Sequence, residues 1–205
     1  MTIINSAALS RRRTLLKSVT AVLAAAALSA CGPDKLQFKS IDITGADYAK
    51  DFNLTDHNGV PRSLKDFKGK VVVVFFGFTQ CPDVCPTALA ELAEVKRKLG
   101  SQGDRLQGIF ISVDPERDTE EVLKAYMANF DPSFIALRPT MAQLPEVAKA
   151  FKIYYKKSEG KTAGSYTMDH SAGSYVFDPE GRVRLYTRYG SGAEALASDV
   201  ALLLT

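Results

Sequence analysis

The sequence predicts an α/β fold in which helices flank a central mixed sheet. Residues 71–78 form an unbroken apolar run of β-branched and aromatic side chains, which is typical of a strand buried on both faces. After this run, apolar strands alternate with helical segments, a pattern that indicates parallel pairing. A β-hairpin is predicted at the N-terminal side of the domain, and a second hairpin followed by a helix at the C-terminal side.

The first predicted hairpin turns at Asn58-Gly59, a dipeptide that favours a tight turn between two short strands. We interpret His57, beside this turn, as a solvated loop histidine. The central strand then leads into Cys81-Pro82-Asp83-Val84-Cys85-Pro86. Because a residue before proline avoids the helical region, we place Cys81 in a loop and Cys85 near the N-cap of a helix over residues 86–99.

The rest of the chain continues the alternation. An apolar strand over residues 106–113 ends at Asp114-Pro115, and Asp118 is interpreted as the cap of the next helix, over residues 118–129. The remaining predicted elements are a strand at 134–137, a helix at 140–151, a strand at 153–156, a hairpin of strands at 174–177 and 183–187, and a closing helix at 193–204.

The two cysteines at the end of the central strand are the candidate chemical site. With Cys85 at a helix N-terminus, the unpaired backbone N–H groups would favour a thiolate. Two thiols this close in sequence can close a disulfide or donate to one metal ion. Gly77 interrupts the apolar strand just before them, which indicates close approach of another group to the backbone beside the site.

The N-terminal residues 1–30 have the features of an export signal. Arg11-Arg12-Arg13 precedes an apolar run over residues 19–30, which is too short to span a membrane. Leu28-Ser29-Ala30-Cys31 resembles a bacterial lipobox, which implies that Cys31 is lipidated. Sec and twin-arginine export both remain open. We therefore expect a tether over residues 31–47, a domain over residues 48–205 and lipid anchoring to the bacterial membrane, with the domain facing the periplasm.

Charge and cysteine content agree with export. Residues 1–30 carry four basic side chains and no acidic one, so their removal lowers the formal net charge from +3 to −1. The basic character therefore belongs to the signal and gives no support for nucleic-acid binding. One of the three cysteines lies in the lipobox, which leaves a single pair in the domain. In an oxidising compartment that pair tends to form a disulfide unless it is reduced or bound to a metal.

Three separated motifs carry a family resemblance. Residues 54–70 resemble thioredoxin-like redoxins. The stretches Gly77-Phe78-Thr79-Gln80-Cys81-Pro82-Asp83-Val84-Cys85-Pro86, Ser112-Val113-Asp114-Pro115-Glu116-Arg117-Asp118-Thr119 and Asp169-His170-Ser171 resemble the Sco/SenC family. Members of that family are membrane-attached copper proteins that assist assembly of the dinuclear copper centre of cytochrome c oxidase. The resemblance covers residue 48 to the C-terminus and implies a thioredoxin-like fold.

The resemblance also implies a copper site formed by Cys81, Cys85 and His170. Thiolate sulfur suits Cu(I), and imidazole suits either Cu(I) or Cu(II). We interpret Met168 as a packing residue. The implied partners are cytochrome c oxidase subunit II, other periplasmic copper chaperones or thiol reductants, and the membrane through the lipid anchor. Three side chains are interpreted as support for the site or the helix start, and not as ligands: Asp83, Asp114 and Asp118.

Two principal functions follow, together with a plain structural disulfide as a third possibility. A copper metallochaperone would bind copper through the three ligands and pass it on. A thiol-disulfide oxidoreductase would use Cys81 and Cys85 as a reversible disulfide, although such catalysts usually have two residues between their cysteines and this chain has three. A peroxidase is disfavoured because no arginine is close in sequence to the cysteines, unless a remote one approaches in the fold.

Overall fold

The computed structural model describes residues 36–160, 162 and 164–205. Within these residues a compact unit runs from Phe38 to Thr205 and has its own hydrophobic core. The predicted export signal and Cys31 lie outside the described residues. In the described part of the chain, no helix combines the length and apolar character needed to cross a membrane.

The secondary structure follows the predicted alternation. The strands in the described residues are β1 (Ile41–Asp42), β2 (Leu54–Asp56), β3 (Pro61–Arg62), β4 (Val71–Gly77), β5 (Leu106–Ser112), β6 (Ile135–Arg138), β7 (Tyr155–Glu159), β8 (Tyr166–His170), β9 (Ser174–Phe177) and β10 (Val183–Thr187). The α-helices there are α1 (Val84–Lys98), α2 (Glu120–Met127), α3 (Gln143–Ala150) and α4 (Ala193–Leu203).

A mixed sheet of eight strands, counted over the described residues, has the order β1-β10-β9-β4-β5-β6-β2-β3. Strands β4, β5 and β6 are parallel, and the outer strands are antiparallel. Every residue of β4 and β5 is buried, as expected for strands with both faces covered. Gly77 lies opposite Ser112, so both central strands end at the same edge of the sheet. The predicted α/β architecture with a central mixed sheet is confirmed.

The strands β7 and β8 form a separate antiparallel pair in which Tyr155 lies opposite His170. The sequence prediction placed a strand at residues 153–156 and none at 166–170. It missed β8 because Tyr166-Thr167-Met168-Asp169-His170 is polar and only partly buried, without the apolar run that identifies a core strand. We call β7 and β8 together the His170 hairpin.

The compact unit begins earlier than the predicted boundary at residue 48. Strand β1 pairs with β10, with Ile41 opposite Tyr186. The backbone N–H groups of Lys39 and Ser40 donate to the buried carboxylate of Asp199 at 2.7 and 2.8 Å. The segment 38–47, predicted as tether, is therefore part of the domain, because its backbone completes a sheet edge and satisfies a buried charge.

Candidate metal centre

The two cysteines lie at the carboxyl end of β4, where the predicted site was placed. Cys81 is half-buried in the loop of residues 78–83, which we call the cysteine loop, and Cys85 is fully buried in the first turn of α1. Both thiols are free. The backbone N–H of Cys85 donates to Cys81 Sγ at 3.4 Å, so the start of the helix holds the two residues together.

The expectation that the helix N-terminus would favour a Cys85 thiolate is wrong. Helix α1 begins at Val84, with Asp83 in the N-cap position, so Cys85 is already inside the helix. Burial raises the pKa of the Cys85 thiol well above its ordinary value and outweighs the hydrogen bond from the Phe78 backbone, which lowers it. Desolvation therefore dominates over the helix terminus, and the free thiol is protonated at neutral pH. Asp83 forms no side-chain capping hydrogen bond.

Gly77 is required by close packing, as predicted. A Cβ atom added at Gly77 would lie 2.7 Å from Cys85 Sγ and 2.7 Å from Phe110 Cε2. Both distances are shorter than Cβ atoms tolerate. The absence of a side chain on the last residue of β4 thus allows the sulfur of Cys85 to pack directly on the strand.

His170 lies at the end of β8 and faces the cysteines. Its ring packs edge-on against Phe75 and Phe78, with centroid distances of 6.1 and 5.8 Å. Its Nδ1 lies 2.9 Å from the Ser171 carbonyl oxygen, and its Nε2 lies 3.5 Å from Cys85 Sγ. Because a carbonyl oxygen only accepts, Nδ1 carries the proton and Nε2 presents its lone pair towards the sulfur. Burial lowers the pKa of His170 below its ordinary value, so the ring is neutral at pH 7.

The three predicted ligands come together in space. One donor atom each of Cys81, Cys85 and His170 lies within 4.8 Å of the other two, and among the described residues these three form the group able to hold a metal ion. Donor–metal bonds of about 2.0–2.3 Å place donors roughly 3.5–4 Å apart around one ion. A small contraction would therefore let all three bind one ion, and two sulfurs with one imidazole suit a soft or borderline metal.

Asp118 supports the cysteine loop, which agrees with the supporting role that the family resemblance implies. The interpretation of Asp118 as the cap of α2 is wrong. Its fully buried carboxylate accepts hydrogen bonds from Thr79 Oγ1 and Ser112 Oγ, each at 2.6 Å. Burial raises its pKa, although the hydrogen bonds from Ser112 and Thr79 oppose the shift. The cap of α2 is Thr119, whose side chain accepts from the Val122 backbone N–H. The sequence analysis thus assigned the capping role to Asp118, whereas the next residue, Thr119, performs it.

Arg117 was missed by sequence reasoning. Its Nε donates to the buried carboxylate of Asp114, and its Nη1 donates to Gln80 Oε1 at 2.9 Å. Gln80 directly precedes Cys81, so an arginine that is remote in sequence does approach the cysteine loop. The lack of an arginine close to the cysteines in sequence is therefore no longer an argument against a peroxidase. The Asp-Pro-Glu-Arg-Asp motif was the available signal, but the spacing alone does not show where the arginine points.

Met168 and His57, which the sequence analysis also singled out, both have structural roles in the domain. Met168 is 8% exposed and belongs to the hydrophobic core, which confirms its interpretation as a packing residue. His57 is half-buried and not simply solvated, because its Nδ1 accepts from the Ala136 backbone N–H at 3.0 Å. The structure therefore separates the chain's two histidines: His57 ties the N-terminal hairpin to β6, and His170 faces the thiols.

The fold and the site together define a thioredoxin-like domain with a metal-binding or redox-active site. Helices flank a mixed β-sheet, and its central strand leads to two thiols that face a histidine. The profile of the SCO1/SenC family matches residues 42–205, and the chain belongs to that family.

Known relatives resemble the chain in sequence and in fold. The mitochondrial protein SCO2 homolog of Mus musculus is 36% identical over 152 residues, which cover 73% of this chain and 60% of the mouse protein. The chain thus spans between 44% and 65% of the length of the curated relatives it matches. The structure of Bradyrhizobium japonicum ScoI with copper bound is 43% identical, with a TM-score of 0.68, over 75% of this chain and 98% of ScoI.

A third relative connects the fold with redox chemistry. The structure of BsSco, in which a disulfide switch was identified, is 27% identical, with a TM-score of 0.63, over 80% of this chain and 97% of BsSco. BsSco is described as a member of the Sco family of cytochrome c oxidase assembly proteins.

Proposed function

We propose that this protein is a copper metallochaperone that binds one copper ion through Cys81, Cys85 and His170. The observation that carries the proposal is the convergence of the three donor atoms within 4.8 Å, with Nε2 of His170 free to donate. The copper-bound structure of the related ScoI supports the choice of metal. Thiolate sulfur favours Cu(I), and the imidazole allows Cu(II) as well.

The placement of the ligands suits transfer as well as binding. Cys85 is buried on the sheet, whereas Cys81 is half-buried in a loop and His170 lies on a separate hairpin. A recipient ligand could therefore replace His170 or Cys81 first, while Cys85 still holds the ion. Stepwise exchange of this kind avoids release of the free metal.

The target that we propose is the dinuclear copper centre of cytochrome c oxidase subunit II. Membership of the SCO1/SenC family and the oxidase-assembly description of BsSco support this choice. We further propose that the chain is exported, lipidated at Cys31 and held at the membrane with its domain in the periplasm. The basic residues and apolar run before Cys31 support export.

Copper titration of the reduced fragment 32–205 tests the binding site. We expect one copper ion per chain and a thiolate-to-copper charge-transfer band. Cys81→Ser and Cys85→Ser each retain one thiol, so they should weaken copper binding and reduce and shift the band, and His170→Ala should shift it and weaken binding. His57→Ala, which alters the other histidine, is the matched control and should leave the band unchanged. Binding that is indifferent to His170, or equally sensitive to His57, would contradict the proposed ligand set.

A second candidate function is thiol-disulfide exchange, which the two free and adjacent thiols favour. The Cys81 thiolate would attack a target disulfide, form a mixed disulfide and release one target thiol. Cys85, once it has lost its proton, would then displace the second target thiol and leave a Cys81–Cys85 disulfide, so that two electrons and two protons pass to the target. This reaction does not need His170. The exchange function would be favoured if His170→Ala reduced disulfides as fast as the wild type and bound copper with unchanged affinity.

A further inference from the structure

Arg117 lies between the cysteine loop and the His170 hairpin. Its side chain is 20% exposed, and its Nε donates to Asp114, which fixes the guanidinium to the loop that follows β5. Its Nη1 donates both to Gln80 Oε1 and to the carbonyl oxygen of Tyr166, each at 2.9 Å. One guanidinium group therefore bonds to the segment that carries Cys81 and to the strand that carries His170.

The contact with the hairpin is also made through the ring of Tyr166. The carbon Cζ of Arg117 lies 3.5 Å from the centroid of that ring, close enough for a cation–π interaction. The Tyr166 hydroxyl donates to Asp114 Oδ1 at 2.9 Å. Arg117 therefore contacts the carbonyl oxygen and the ring of Tyr166, and its partner Asp114 accepts from the Tyr166 hydroxyl.

Strand geometry transmits this contact to His170. Side chains at alternate positions share one face of a strand, so Tyr166, Met168 and His170 point the same way. Met168 between them is buried in the core, which shows that this face is turned towards the body of the domain. At roughly 3.3 Å per residue, His170 lies about 13 Å along β8 from the point where Arg117 holds Tyr166.

The polar contacts that Glu116 makes with the hairpin are weaker, and one of them is a long hydrogen bond of 3.4 Å from the Tyr166 hydroxyl. Lys157 pairs with Glu116 at 2.8 Å, but both side chains are about half exposed, at 52% and 49%. Solvent-exposed ion pairs contribute little to stability. The largely buried Arg117 side chain makes the stronger attachment, even though its buried Nη2 has no hydrogen-bond partner among the described residues. Leaving a buried N–H group unpaired costs free energy. Hydrogen bonds alone therefore do not explain where the Arg117 guanidinium lies, and its contact with the Tyr166 ring also contributes.

We propose that Arg117 is a positioning residue that holds the His170 hairpin against the cysteine loop and so determines whether the copper site has two ligands or three. We call the group of Arg117, Asp114, Gln80 and Tyr166 the Arg117 clamp. This inference rests on the proposed copper function, which it deepens. Arg117 itself does not touch the metal, and it acts through the position of His170.

Hydrogen exchange on the metal-free, reduced fragment 32–205 tests the clamp without copper. An isolated two-stranded hairpin is only marginally stable, so protection of the β7–β8 amides depends on docking. In Arg117→Met these amides should exchange faster, on the order of tenfold, while those of β4 and β5 stay protected. Arg97→Met is the matched control, because Arg97 is 70% exposed and pairs with Glu94 within α1.

A second variant guards against general unfolding, since Arg117→Met also leaves the buried Asp114 without its ion pair. Tyr166→Leu removes the ring and the hydroxyl but retains the Arg117–Asp114 pair, and it should accelerate exchange in the same strands. Unchanged exchange in β7 and β8 for Tyr166→Leu, or acceleration spread equally over the core strands, would overturn the proposal.

Copper affinity measured in a double-mutant cycle separates the clamp from the site. Arg117→Met should weaken copper binding about 10–100-fold, as is usual for groups that orient a metal ligand, and should shift the charge-transfer band towards that of His170→Ala. In the His170→Ala background the same substitution should change affinity by no more than about twofold. If Arg117→Met lowers copper affinity equally in both backgrounds, the clamp proposal is overturned and the proposed function stands. If His170→Ala by itself leaves copper affinity unchanged, the proposed function is overturned.

Discussion

At the residue scale, the two cysteines differ because of what packs on them. Gly77 allows Cys85 to lie directly on β4, where burial raises the pKa of its thiol, whereas Cys81 is half-buried in the loop. The sequence predicted the pair and the purpose of Gly77, since both follow from local patterns. It could not predict the burial of Cys85 or the reach of Arg117, because these depend on segments distant in sequence.

This difference predicts unequal alkylation. In the reduced, metal-free protein, Cys81 in the Cys85→Ser variant should react with iodoacetamide at least about tenfold faster than Cys85 in Cys81→Ser, because the reactive species is an accessible thiolate. The rates can be followed by mass spectrometry at pH 7. Equal rates for the two thiols would show that Cys85 is not shielded in solution.

A methyl group at Gly77 should disturb the metal site specifically. Gly77→Ala must displace Cys85 Sγ or Phe110, which we expect to cost about 1–3 kcal/mol of folding free energy and to shift the copper charge-transfer band. Gly108→Ala is the matched control: its Cβ would meet Phe134 and Leu92 at 2.8 and 2.9 Å, on the neighbouring strand and away from the thiols. Denaturation and copper titration of both variants check this. Two destabilised variants with identical spectra would contradict it.

At the element scale, the core strands were predictable and the site hairpin was not. Strands β4 and β5 are continuous apolar runs, and the strong turn at Asn58-Gly59 identifies the hairpin of β2 and β3. Strand β8 has no such pattern, because its few buried side chains face the domain from a separate two-stranded pair. The start of α1 was misplaced by two residues, since Pro86 lies inside the first turn, where its missing N–H has no cost.

The N-terminal hairpin should depend on the ionised form of Asp56. This buried carboxylate accepts from the backbone N–H groups of Asn58 and Val60 and from Arg62 Nε. Burial raises its pKa, but these hydrogen bonds outweigh burial, so the pKa lies below its ordinary value of 3.8. Its contribution to stability is therefore complete above about pH 3.8 and is lost as the pH falls through the lower, folded-state value.

Asp56→Asn should accordingly lower the free energy of unfolding at pH 7 by about 2 kcal/mol, since hydrogen bonds to charged groups are the stronger ones. The difference from wild type should shrink below pH 3.8, because the wild-type carboxyl then becomes protonated as well. Urea denaturation between pH 2 and pH 7 measures this. Asp47→Asn, at a 90% exposed carboxylate, is the control. A difference that does not change with pH would contradict the assigned role.

At the scale of the whole molecule, the arrangement of the sheet explains how distant motifs meet. The parallel strands β4 and β5 end at one edge, which brings the cysteine loop beside the Asp114–Asp118 segment, and the His170 hairpin covers this edge. Alternating strands and helices made this architecture predictable. The N-terminal boundary was not, because β1 is a short edge strand of two exposed residues without an apolar pattern.

The domain should need its N-terminal segment. Removal of residues 36–47 deletes β1 and leaves the buried Asp199 carboxylate without the two N–H donors from Lys39 and Ser40. A buried acceptor left unpaired costs about 1–3 kcal/mol, so the fragment 48–205 should be less stable than 36–205 by at least that amount. Thermal denaturation of the two fragments compares them, and equal stability would restore the boundary predicted from the sequence.

Copper transfer to a metal-free, reduced copper domain of cytochrome c oxidase subunit II tests the central claim most directly. The measurement follows the copper bound to the re-isolated subunit II domain, by mass spectrometry, after addition of copper-loaded protein in the presence of a chelator that removes free copper. The account predicts that the centre forms with wild-type protein and with His57→Ala, and that His170→Ala and Cys85→Ser fail to support it. Formation of the centre at the same rate by His170→Ala, or no transfer from the loaded wild-type protein, would contradict delivery through the three-ligand site.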